Sequence, residues 1–146
     1  MIHFVVPGEP MAQPRVRFAI IGDHVRTYEP SVATNYKHLI QSYAAQAMSV
    51  ANSGKFIGPV DVTILAVFSM PKSKESKRKP KPRSWKTGLK DWDNIGKIFS
   101  DAMESVVYLN DKQVARGTVT RVVGAQGEPA SVSVWVTQLD SAPPPA

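Results

Sequence analysis

The chain has 146 residues, enough for one domain with a substantial core and too few for two. It contains no cysteine, which excludes disulfide scaffolds, thiolate zinc sites and thiol nucleophiles. The net charge of +6 is unevenly spread: residues 72–90 carry nine Lys/Arg against the single Glu75, so the remainder is slightly acidic. A cationic run this concentrated attracts a polyanion, most commonly nucleic acid.

In chain order, "IHFVVPG" (residues 2–8) reads as a first strand ended by Pro7 and Gly8. "RVRFAIIGDHVRTYEP" (15–30) predicts a hairpin turning at Gly22 and Asp23, with Arg15, Arg17 and Arg26 forming a second basic surface. Ser31 is placed to cap a helix reaching about Asn52, with Tyr36, Leu39, Ile40, Tyr43, Ala47 and Met48 at helical spacing and Gly54 just past its end. "PVDVTILAVFSMP" predicts a central strand buried on both faces. Pro71, Pro80 and Pro82 keep residues 71–90 extended, as an exposed, mobile arm.

Asp91 or Asp93 then opens a second helix whose buried stripe is Ile95, Ile98, Phe99, Ala102 and Val106. "QVARGTVTRVVG" and "ASVSVWVTQL" close the chain as two strands, expected to pair as a hairpin through residues 125–129. A disordered tail is expected over residues 140–146. The fold class is therefore α/β in the α+β sense: one domain over residues 1–139, a mixed sheet packed against two main helices. The longest apolar stretch, residues 60–70, contains Asp61 and Thr63 and is about half as long as a membrane span. "MIHFVVPGEP" lacks the basic start and apolar core of an export signal, so a cytoplasmic protein with no membrane partner is expected. His3, His24 and His38 show no ligand spacing.

Four of the seven aspartates lie between residues 86 and 111, beside the basic run. Asp91 and Asp93 suit the positive end of a helix dipole, where capping alone would explain them. Asp93, Lys97 and Asp101 fall at i, i+4 and i+8 on one helix face, where Lys97 has a simple role as ion-pair partner. Taken with Asp111, the carboxylates could instead hold one or two Mg²⁺ ions, with Mn²⁺ as a substitute, to hydrolyse a phosphodiester.

"KDWDNIGKIFSDAMESVVYLNDKQV" resembles the signature of the RusA family of Holliday junction resolvases, D-x-D-N-x-x-K-x-x-x-D-A followed by D-D-x-Q-V. The opening "VPGEPMAQPRVRF…RTYEP" is similar to phage and prophage members, so the resemblance spans residues 2–137. It implies a homodimeric, Mg²⁺-dependent endodeoxyribonuclease of DNA recombination and repair that cuts four-way junctions and related branched DNA by paired nicks. It also implies Asp91, Asp93 and Asp111 as catalytic metal-binding acids and Lys97 as a catalytic lysine. Asp101, Asn94 and Asn110 would support the site, Asn110 standing where the family usually has an acid. DNA-binding candidates are Arg15, Arg17, Arg26, Lys72, Lys74, Lys77, Arg78, Lys79, Lys81, Arg83, Lys86 and Lys90. Two other readings stay open. A non-catalytic basic DNA-binding protein would use its acids only as caps, and a D-x-D nucleotidyltransferase would need a glycine-rich phosphate loop that the sequence lacks.

Overall fold

The computed structural model of the protein describes residues 1–15, 17–139 and 145, so the Arg17 side chain and nearly all of the expected tail at 140–146 lie outside the described residues. The elements are β1 (Ile2–Pro7), β2 (Arg17–Ile21), β3 (His24–Tyr28), α1 (Ser31–Val50), β4 (Val60–Phe68), β5 (Ser84–Trp85), α2 (Trp92–Met103), β6 (Val114–Val123) and β7 (Ser131–Gln138). Five strands form one sheet in the order β1-β7-β4-β6-β5, while β2 and β3 form a separate hairpin. β4 runs parallel to β6 and antiparallel to β7, which makes the sheet mixed, as expected.

Both helices pack on one face of the sheet and against each other, α1 over β1 and α2 over β6. The core between the layers takes Ile2, Phe4 and Val6 from β1, Val60, Val62 and Ile64 from β4, and Val132, Val134 and Val136 from β7. α1 contributes Tyr36, Ile40 and Met48, and α2 contributes Ile95, Ile98, Phe99 and Met103. Tyr36 meets Phe99 edge-on, ring centroids 5.8 Å apart. Phe99 is fully buried; truncating such a residue to alanine costs about 3–5 kcal/mol. Because only one face is covered, β4 departs from its expected burial on both faces: Asp61, Thr63 and Leu65 are half-buried. Leu39 is exposed, and Met103 rather than Val106 completes the buried stripe of α2.

Three further local expectations are corrected. Ser31 does not cap α1; it is the first helical residue, and Pro30 occupies the N-cap without a side-chain bond. Behind α1 it is Asn52, at φ 49°, and not Gly54 that turns left-handed, a conformation Asn tolerates. The last two strands are not a hairpin, because β4, the most apolar strand, lies between them and gains hydrogen-bonded neighbours along both edges. The link from β6 to β7 crosses the end of β4, where Gly124 N donates to Phe68 O at 2.7 Å. A Cβ on Gly124 would stand 3.1 Å from Val67 Cγ1, so a side chain there would crowd the crossing.

Residues 71–90 are largely exposed but are not a free arm. They contain a short 3₁₀ turn (Lys72–Lys74), and β5 pairs with β6 through Ser84–Val123 and Trp85–Val122. Gln126 Oε1 accepts from Ser76 N at 3.0 Å, and Gln126 Nε2 donates to Ser76 O at 2.9 Å. Arg83 pairs with Glu128, Nε donating at 3.0 Å. That guanidinium, helped by the Ala125 N–H, holds the Glu128 carboxyl down to about 2. The prolines remove a few donors, but β6 offers an open edge that the rest of the segment satisfies.

Candidate active site

The site grows from the start of α2. Asp91 is the N-cap residue, yet its carboxylate makes no capping hydrogen bond. Simple capping therefore does not account for it. The turn before it is strained, with Gly88 at φ 85° and Lys90 at φ 66°, a conformation costing a non-glycine residue about 1–2 kcal/mol. Arg121 of β6 holds this turn: its Nη1 donates to the carbonyls of Gly88, Leu89 and Lys90 at 3.2, 3.3 and 2.8 Å. From the other side, Lys90 Nζ donates to Pro10 O at 3.2 Å, and Gln13 N donates to Asn94 O at 2.9 Å. The backbone of Asn94 thus anchors the segment between β1 and β2.

Gly96 lets α2 sit close on the sheet, since a Cβ there would stand 3.2 Å from Val119 Cγ2. Between helix and strand lies a cleft of about 240 Å³, lined by Asp93, Ser100, Asp111, Thr118 and Val119 among others. Two of the predicted acids, far apart in sequence, therefore face one space. Asp91 is not in its lining.

A 3₁₀ turn (Asp111–Gln113) presents Asp111. Asn110 Oδ1 accepts from Lys112 N at 2.8 Å, so the side chain standing in place of the family's usual acid closes this turn. Gln113 Oε1 accepts from the N–H groups of Leu109 and Asn110 at 2.9 and 3.0 Å, and its Nε2 donates to Phe56 O and Gly58 O, both at 2.9 Å. Behind the turn, Tyr108 OH donates to Ser100 O at 2.6 Å. Burial, with Asp111 and Asp101 nearby, pushes that phenol well above its ordinary range.

Asp101 is half-buried two turns beyond Asp93 along α2. Burial raises its pKa, Lys37 opposes the rise, and the neighbouring Asp111 carboxylate adds to it. Its ion pair comes from Lys37 of α1 at 3.9 Å, where the spacing had offered Lys97. Lys37 Nζ also donates to Glu29 Oε1 at 2.7 Å, and Glu29 accepts further from Gln13 Nε2 at 2.8 Å and Thr34 Oγ1 at 3.2 Å. Lys97 is exposed on α2.

Among the cationic candidates, Arg15, Arg26, Lys72, Lys74, Lys77, Arg78, Lys79 and Lys81 are exposed. Three others have intramolecular partners: Arg83 pairs with Glu128, Lys86 Nζ lies 5.3 Å from the Phe68 ring centre, and Lys90 Nζ lies 5.8 Å from the same ring. Lys37, Glu29, Arg121 and Gln13 escaped sequence reasoning because each acts across the fold. Gln113 carried a signal, since it belongs to the quoted motif.

Among the described residues no three acidic or histidine side chains already stand at ion-binding spacing. The donor set still suits a hard divalent cation, since Asp93 and Asp111 face one cleft and both offer oxygen. No helix among the described residues is long and apolar enough to cross a membrane.

Two acids thus meet in a cleft beside a helix start, on a sheet with cations at its edge, and the model of Endodeoxyribonuclease RusA matches residues 7–135. The chain belongs to the RusA family of junction-resolving endodeoxyribonucleases. It is also similar to YqaN, an uncharacterised protein of Bacillus subtilis (strain 168), with 31% identity over 118 residues, covering 77% of this chain and 81% of that protein.

Proposed function

We propose that the protein is a divalent-metal-dependent resolvase that cuts four-way DNA junctions by paired nicks, working as a homodimer in DNA recombination and repair. The observation that best supports this reading is the disposition of the acids. Asp91 makes no capping bond, and Asp93 and Asp111 face one cleft.

Asp91, Asp93 and Asp111 would hold Mg²⁺, or Mn²⁺ in its place, with Asp101 supporting Asp111. Such an ion, held by these carboxylates, would supply an activated water and offset charge on the leaving oxygen. Lys97 places an ammonium on the helix that carries two of these acids, where it can stabilise the extra negative charge of the pentacoordinate phosphate. The exposed cations of residues 72–81, with Arg15 and Arg26, neutralise backbone phosphates that the acids alone would repel. A four-way junction has two-fold symmetry, and a closed two-fold dimer puts one acidic site on each of two opposed strands.

The test is to map cut positions on both strands of a mobile-core junction, with Mg²⁺ and with EDTA. Symmetric cuts on opposed strands, abolished by EDTA, are expected. Scattered single nicks would overturn the paired mechanism, and a junction bound but left uncut in Mg²⁺ would overturn the enzyme.

A further inference from the structure

Residues 70–87 and the adjoining sheet edge enclose a second cleft of about 500 Å³, twice the size of the acid-lined one. One wall is Trp85, which stays 78% exposed although it belongs to a strand. Burying such a ring in the core would have gained several kcal/mol at roughly 25 cal/mol per Å²; here the sheet edge presents it to solvent. Lys74, Lys81 and Lys86 line the same cleft, and no acid among the described residues does. Arg83, the remaining cation in the lining, is taken up by Glu128.

An uncovered indole among cations matches a ligand that is both anionic and flat. Phosphates alone would be served by the lysines without the ring, and an apolar protein partner would gain nothing from them. A base within a duplex has both faces stacked, whereas an unpaired base has a face free. The cleft is also tied to the acidic site: Lys86 N donates to Arg121 O at 3.1 Å, and Arg121 in turn holds the turn that precedes Asp91.

We propose that this cleft binds single-stranded DNA, one unpaired base stacking on Trp85 while flanking phosphates meet Lys74, Lys81 and Lys86. The choice of DNA over RNA rests on the nuclease reading above; the stacking itself does not. Aromatic stacking supports such binding without regard to sequence, and the lysines make it salt-dependent.

The experiment measures fluorescence anisotropy of a labelled thymidine oligonucleotide of about twelve nucleotides, within the usual range of such grooves. It is run in EDTA, beside an abasic strand of equal length. Wild type should prefer the thymidine strand. Trp85→Ala should weaken thymidine binding about tenfold and leave abasic binding unchanged, and Trp85→Phe should restore most of the loss. Replacing Lys74, Lys81 and Lys86 with Gln should flatten the salt dependence for both strands. Equal binding of the two strands by wild type, or unchanged thymidine binding by Trp85→Ala, overturns the proposal. Junction nicking in Mg²⁺ by the same preparations separates the two readings. A protein that nicks without telling base from abasic site loses only the stacking cleft, and one that stacks but never nicks loses only the nuclease.

Discussion

Lys37 of α1 reaches Asp101 of α2: its Nζ lies 3.9 Å from Asp101 Oδ2 and donates to Glu29 Oε1 at 2.7 Å. One ammonium thus ties the root of the β2–β3 hairpin to the acidic face of α2. Removing it leaves two partly buried carboxylates without their cation. Lys37→Met should cost about 1–2 kcal/mol of stability near neutral pH.

The cost should depend on pH. Lys37 first, then Gln13, holds the Glu29 carboxyl below its ordinary value of 4.5. A depressed folded value means that the Glu29 contribution is fully present above about 4.5 and is lost as pH falls through the lower, folded value. Thermal melts of wild type and Lys37→Met should therefore differ most near pH 7 and converge as pH falls below about 4.5. A gap that stays constant across that range would remove Glu29 as the partner that matters.

Asp91→Asn, Asp93→Asn and Asp111→Asn should each abolish nearly all cleavage while junction binding in Ca²⁺ stays intact or tightens. These changes remove oxygen donors and negative charge, and no phosphate contact. Mg²⁺-supported nicking by all three variants would end the assignment of these acids.

Lys97→Ala separates chemistry from packing. Lys97 is exposed, and surface substitutions of this kind move stability by no more than about 0.5 kcal/mol. A lost transition-state cation lowers turnover on the order of 100-fold. Normal melting with poor cleavage and wild-type junction affinity is expected; wild-type turnover with a lowered melting temperature would reduce Lys97 to a surface charge.

Gln113 and Asn110 test the turn that carries Asp111. Gln113→Ala leaves two N–H groups and two carbonyls to find new partners and should cost about 1–3 kcal/mol, with cleavage falling further than stability does. Asn110→Asp keeps an acceptor for Lys112 N, so it should fold as wild type and lower the Mg²⁺ concentration needed for half-maximal cleavage. A melting temperature reduced as much as that of Gln113→Ala would contradict the capping role.

The local elements were legible because their signals are local. Alternation of Ile2, Phe4 and Val6 marks β1, and helical recurrence of Ile95, Ile98, Phe99 and Ala102 marks α2. The spacing of Asp93, Lys97 and Asp101 placed them on one face but could not show which cation answers Asp101. That depends on α1 packing against α2, which brings in Lys37. The hairpin expected of β6 and β7 failed for a similar reason: short connections favour neighbours, and only the competition for the edges of β4 decides otherwise. The proline-rich segment read as free because nothing within it reveals that Gln126 and Glu128, some 45 to 50 residues onward, are waiting for it.

The place of β4 between β6 and β7 also governs how the chain reaches this state. β4 finds both partners far downstream, Val60 pairing with Val114 on one side and Gln138 on the other. No zipper of adjacent hairpins can build this sheet, and each closure must enclose a long loop before any ladder bond repays its entropy. Until Ser131–Gln138 arrives, β4 and β1 both present apolar edges with no strand between them. By its topology the chain is expected to fold slowly, and to be most open to aggregation while β7 is missing.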